Sequence, residues 1–108
     1  MLSKSYRMKK NSQFNYVFKK GTSLKHNKLL MFYSKTTSNK PKIGIVVSKK
    51  IGKSVTRNHT KRLIRESIRL NIDKFNKKFN YVFVARAGIE KLNSTEITEN
   101  ILNLLEKQ

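Results

Sequence analysis

Two histidines, a Gly-Lys-Ser triplet, a helical run of arginines and lysines, and a set of phenylalanines are the residues of this 108-residue chain that could do chemistry. His26 and His59 invite a nuclease reading, since imidazole is the usual general acid and base near neutral pH. Nothing in the sequence pairs them, and no third group is evident to orient either ring. Each reads more simply as a surface residue or a phosphate contact. Gly52-Lys53-Ser54 follows a β-branched run and opens a helical pattern, as a nucleotide phosphate loop would. That loop requires G-x-x-x-x-G-K-[ST], hence glycine at 47, where the chain has Val47. No acid precedes Glu66 to help with Mg²⁺. The absence of Cys rules out a disulfide scaffold, a thiolate zinc site and a cysteine nucleophile, and accords with a reducing compartment.

The basic run carries more. At about 100° per residue, the segment from Ser54 to Asn71 divides into two arcs. Leu63, Ile64, Ser67, Ile68 and Leu70 share one side, with Thr56 and Thr60 in the same arc. Asn58, Lys61, Arg62, Arg65 and Arg69 occupy the other, and Arg57 lies at the border. A helix face that is merely solvated mixes signs in i, i+4 pairs; here Glu66 is the only acid. The helix dipole favours anions at its N-terminus, yet Lys53 and Arg57 stand there. Phosphate oxygens resolve both conflicts.

Phe14 and Phe18 stand one helical turn apart beside Lys9, Lys10, Lys19 and Lys20. Bases of a single strand stack on aromatics in a basic groove, whereas the bland alternative is a helix docked on a sheet through the same rings. Phe32 and Tyr33 point to opposite faces of their strand.

These groups need a scaffold. Residues 1–10 are polar and irregular. Asn11 or Ser12 caps a helix that stops at Gly21. A short strand is possible around 22–25. Leu29–Ser34 reads as a strand. Ile43–Ser48 is β-branched and nearly continuous, which predicts a central strand. A basic loop at 49–53 leads to the helix over about 54–71. Tyr81–Ala85 is a second buried strand. Asn93 or Ser94 caps a last helix with the apolar stripe Ile97, Ile101, Leu104 and Leu105. The order α-β-β-β-α-β-α describes an α+β sandwich with one sheet, as a single domain over residues 1–108.

The chain has 25 Lys and Arg against 6 Asp and Glu, a formal charge of +19. Residues 1–70 hold 19 of those cations and one acid. So large an excess makes nucleic acid the first partner to consider. No apolar run approaches a membrane span, and no signal-peptide core opens the chain, so the expectation is a cytoplasmic protein without a membrane partner.

Lys49-Lys50-Ile51-Gly52-Lys53, then Arg57-Asn58, then Lys61-Arg62-Leu63-Ile64-Arg65-Glu66, resembles the signature of the bacterial ribonuclease P protein subunit. The flanks agree: Lys9 to Phe14 with Val17 to Gly21 is similar to that family's first helix, and Tyr81 to Arg86 to its last strand. His59, Thr60 and Ser54 depart from the family pattern, which leaves the role of His59 open. The resemblance implies an α-β sandwich with a left-handed β-α-β crossover, shared with a domain of a ribosomal protein and of a translocation factor. It implies an endonuclease subunit that is not catalytic alone. The partner RNA carries the catalytic centre and requires Mg²⁺, and the protein itself binds no cofactor or metal. Its partners would be that RNA, in a 1:1 ribonucleoprotein, and precursor tRNA, whose 5′ leader is removed. By position, Lys50, Lys53, Arg57, Asn58, Lys61, Arg62, Arg65 and Arg69 would bind RNA. Phe14, Phe18 and Phe32, or Tyr33 if the register shifts by one, would line the leader cleft. The competing classes are a ribosomal or other structural RNA-binding protein, which needs no leader cleft, and an autonomous ribonuclease.

Overall fold

The computed structural model describes residues 4–38 and 40–108. Its elements follow the expected order: α1 Asn11–Lys20, β1 Thr22–His26, β2 Leu29–Lys35, β3 Ile43–Val46, α2 Ser54–Leu70, β4 Phe79–Ala85 and α3 Ser94–Lys107. Short 3₁₀ turns lie at Lys4–Tyr6, Lys49–Ile51, Ile72–Lys74 and Ile89–Lys91. The strands form one sheet ordered β1-β2-β4-β3. β2 pairs antiparallel with both β1 and β4, and β3 runs parallel to β4. A parallel pair needs a crossover, and α2 supplies it.

Alternation along the strands sorts side chains to two faces. Leu29, Met31, Tyr81, Phe83 and Ile43 point to one, where Ile64 and Ile68 of α2 and Ile97, Ile101 and Leu104 of α3 bury them in the main core. Val82, Phe32, Val46 and Val84 point to the other, where Met8, Phe14 and Val17 form a smaller cluster with them. One face is thus covered by two helices and the other only in part, by α1.

Three local expectations change in the first half of the chain, and a fourth changes in α2. Ile43–Ser48 is not central: β3 is an edge strand and stops at Val46. Its nearly continuous apolar run has another cause, since α2 covers one face and Phe14 the other. Its free edge is also partly paired, by a bridge from Arg7 to Ile43 and by Met8 N–H donating to Ile43 O at 2.9 Å. The N-terminal segment, expected to be irregular, is therefore a strap along the sheet, although residues 1–3 lie outside the described residues. Finally, α1 is capped neither by Asn11 nor by Ser12. It begins at Asn11, with Lys10 at the cap position, and Gln13 Oε1 accepts from Lys10 N–H at 3.2 Å and Lys9 N–H at 3.3 Å. A glutamine in the third helical position closes the end from inside the helix.

The α3 cap is the expected one. Asn93 Oδ1 accepts Glu96 N–H at 2.9 Å, and Glu96 Oε1 accepts Asn93 N–H at 3.0 Å, a reciprocal capping box. In α2 the buried residues are Thr60, Ile64, Ser67 and Ile68. Leu70, expected in that arc, is 64% exposed, on the rim of an open hollow between the end of α2 and the start of α3.

Candidate nucleic-acid interface

The partly covered sheet face carries the aromatic residues. The i, i+3, i+4 spacing of Phe14, Val17 and Phe18 turns all three toward the sheet, but to different depths. Val17 is buried, and Phe18 is 39% exposed. The Phe18 ring meets Phe32 of β2 edge to face, with centroids 4.9 Å apart. Phe14 lies over β3 at Gly44, where a Cβ would stand 2.3 Å from a Phe14 ring carbon. Glycine at 44 is what lets a whole ring sit on the strand. Between α1 and the start of α2 this leaves an open groove, lined by Asn11, Phe14, Phe18, Val46 and Lys61 among others. The β2 register places Tyr33 on the opposite face, in edge contact with Phe79 at 5.5 Å. Phe32, not Tyr33, thus shares the α1 face with Phe14 and Phe18.

The cations of α2 do not form one uniform stripe. Lys61 reaches the aromatic groove. Arg65 lines an adjoining hollow with Arg7, Met8, Phe14 and Gly44. Partial burial and the facing Arg7 charge both lower the Arg65 pKa, which marks a place where positive charge is concentrated beside an aromatic ring. Arg57 is half-buried at the first turn: Nη2–H donates to Ser54 Oγ at 3.1 Å, and the buried Nε–H has no acceptor in the protein. Asn58, His59 and Arg62 are exposed. Arg69 departs from the group, since Glu66 takes hydrogen bonds from its Nε–H and Nη2–H. The Arg69 hydrogen bond holds the Glu66 carboxyl below its ordinary pKa, and Glu66 raises that of Arg69.

Lys50 and Lys53 are exposed in the turn before α2, and Lys53 takes the N-cap position without a side-chain hydrogen bond. The first amides of α2 thus face a cluster of cations, the arrangement that suits a phosphate. Gly52 holds φ at +145°, and its N–H donates to Lys49 O at 3.2 Å, so this glycine serves the turn. His26 sits on β1, its Nδ1 3.4 Å from Lys107 Nζ, while His59 is exposed on α2; among the described residues no hydrogen bond joins them. No group of three or more His, Cys, Asp or Glu among the described residues could hold a metal ion.

Two contributors were not singled out in the sequence. Arg7 was hidden in a segment read as irregular, and its signal is the alternation Tyr6-Arg7-Met8, with Met8 buried. Asn11 was read only as a cap. Its place on the groove rim follows from heading a helix whose next turn carries Phe14.

The model of the family described as Ribonuclease P matches residues 2–108. The chain is 42% identical over 104 residues to the ribonuclease P protein component of Clostridium kluyveri, covering 94% of this chain and 93% of the relative. Among solved structures it is similar to the Thermotoga maritima RNase P protein, with 30% identity, 94% and 96% of the two chains covered and a TM-score of 0.86. It is also similar to a Staphylococcus aureus RNase P protein mutant described as having defective mRNA degradation activity, with 28% identity, 96% and 88% coverage and a TM-score of 0.89. With the basic motif on α2, the aromatic groove beside it and a fold shared over nearly its whole length, the chain belongs to the ribonuclease P protein component family.

Proposed function

We propose that this chain serves as the protein subunit of a cytoplasmic ribonucleoprotein that removes the 5′ leader from precursor tRNA. In this reading the α2 face and the turn before it hold the catalytic RNA through Lys50, Lys53, Arg57, Asn58 and Arg62. Phe14, Phe18 and Phe32 take the single-stranded leader, and Lys61 and Arg65 meet its phosphates. The partner RNA supplies the catalytic centre and its Mg²⁺, in a 1:1 complex. The observation that carries the reading is the groove itself: three phenylalanines on one face, with Lys61 at the rim and Arg65 in the adjoining hollow. A protein that only supports folded RNA does not need a stacking cleft for a single-stranded leader.

Reconstitution tests it. Added to the catalytic RNA at low Mg²⁺, the protein should stimulate 5′ cleavage of precursor tRNA, and rigorously RNA-free protein should leave that substrate intact. Site-specific 5′ cleavage by protein alone would overturn the subunit reading. The description of the Staphylococcus aureus mutant supports a second reading, degradation of mRNA in addition to tRNA processing. The same RNA-free protein incubated with an mRNA tests it, and intact mRNA would remove it for this chain.

A further inference from the structure

The sheet register places a second row of cations away from the groove. His26, Leu29 and Ala85 stand side by side at one end of β1, β2 and β4, and Val46 of β3 pairs with Val84 one residue short of them. Each strand therefore meets its flanking loop at this end, and each of those loops is basic. The β1–β2 hairpin turns through Asn27, with φ of 51°, and carries Lys25, His26 and Lys28. Arg86 follows β4, and Lys49 and Lys50 follow β3 before the turn into α2. At a strand spacing of about 4.8 Å the row is roughly 15 Å long. It begins at the turn that precedes the basic helix.

The far end of the row is a built corner. Lys107, from the last turn of α3, donates to Lys25 O at 3.3 Å and lies 3.4 Å from His26 Nδ1. Arg86 N–H donates to Lys28 O at 3.0 Å, Arg86 Nη1 reaches Asn27 O at 3.5 Å, and the Lys28 side chain lies along Gly88. Among the described residues Glu66 pairs with Arg69, and none of Lys25, Lys28, Arg86 and Lys107 has a carboxylate partner. Glu90, the nearest acid in the loop after β4, turns its Oε1 onto Gly88 N–H at 2.7 Å. The ammonium of Lys107 and the guanidinium of Arg86 bond to backbone carbonyls, which holds them in place without neutralising them.

We infer that the RNA interface extends beyond α2, across this end of the sheet, onto the β1–β2 hairpin and the C-terminal turn of α3, with Lys25, Lys28, Arg86 and Lys107 contacting backbone phosphates of the partner RNA. This rests on the RNA-binding reading above. Cations without carboxylate partners, two of them held by backbone carbonyls, suit the phosphates of a sugar-phosphate backbone, and such contacts carry no sequence preference.

The test is the triple substitution Lys25→Gln, Lys28→Gln and Lys107→Gln. It removes three charges, while the amide introduced by Lys107→Gln can still donate to the hairpin carbonyl. Binding to the catalytic RNA is measured across a salt series, beside wild type and Arg62→Ala, with circular dichroism to show that all fold alike. The expected result is at least about a tenfold loss of affinity, with a log–log salt slope shallower by roughly two to three. A folded triple variant with wild-type affinity and slope, while Arg62→Ala is weakened, would overturn the extension and leave the α2 interface standing. Unchanged binding in both would instead remove the α2 interface, and the extension with it.

Discussion

Phe18 and Phe32 meet edge to face 4.9 Å apart, one from a helix and one from the strand beneath it, and Phe18 keeps 39% of its surface exposed. A core ring has no reason to remain so open, while a base-stacking platform must. Phe18→Leu should preserve the fold, because a half-exposed ring gives up little buried area. In the reconstituted holoenzyme it should lower affinity for precursor tRNA with a leader of several nucleotides by about 1–3 kcal/mol. Affinity for mature tRNA should be unchanged. A folded Phe18→Leu holoenzyme that retains full leader-dependent affinity would remove Phe18 from the cleft.

Gly44 and Phe14 form the other contact on which the groove depends. A Cβ at 44 would stand 2.3 Å from the Phe14 ring, inside any permitted contact, so Gly44→Ala must push the ring off β3. The expected cost is about 1–3 kcal/mol of stability by overpacking, read by denaturant unfolding, together with a loss of leader affinity. Pairing it with Phe14→Leu should recover part of the stability, since the smaller side chain can withdraw. If Gly44→Ala is as stable as wild type, the ring does not rest on that glycine.

The three exposed-side arginines of α2 should behave differently from one another. Arg62→Ala should leave stability within about 0.5 kcal/mol of wild type and flatten the salt slope of RNA binding by roughly one. Arg65→Ala should weaken binding as well, since it removes a cation from the hollow beside Phe14. Arg69 is already held by Glu66, so Arg69→Ala should change the slope less than Arg62→Ala does. Equal slopes for Arg62→Ala and Arg69→Ala would mean that the Glu66 pairing opens in the complex.

What the chain made legible was whatever is decided locally. The α2 helix from Ser54 to Leu70 could be read from periodicity, and the Asn93–Glu96 capping box from two residues. The edge position of β3 could not, because its apolar run reflects α2, Phe14 and the Arg7–Met8 strap, all brought to it by tertiary packing. The same holds within the interface. That α2 is basic is plain from the sequence. That Lys61 turns to the phenylalanines, Arg65 to Arg7 and Arg69 to Glu66 depends on what packs beside each. The choice between Phe32 and Tyr33 needed only the strand register, which a pair of adjacent aromatics leaves ambiguous.

Tyr81 offers a test of the core independent of RNA. The side chain is fully buried, and its hydroxyl donates to Gln108 Oε1 at 2.8 Å and accepts from Asn76 N–H at 3.1 Å. Burial raises its pKa, and the two hydrogen bonds offset that only in part. A phenol whose folded pKa lies above the unfolded value of about 10 keeps its proton longer in the folded state. Its contribution is therefore complete below about pH 10 and is lost as pH rises through the folded pKa. The quantity to follow is the difference between wild type and Tyr81→Phe, in which everything but the phenol cancels. At neutral pH the variant should be less stable by about 1–2 kcal/mol for the lost hydrogen bonds. Above about pH 10 the wild-type advantage should shrink, because only wild type carries a phenol that ionises more readily unfolded than folded. Urea unfolding of both proteins from neutral pH to about pH 11 measures this, and a difference that stays constant over the whole range would mean that Tyr81 ionises as easily folded as unfolded.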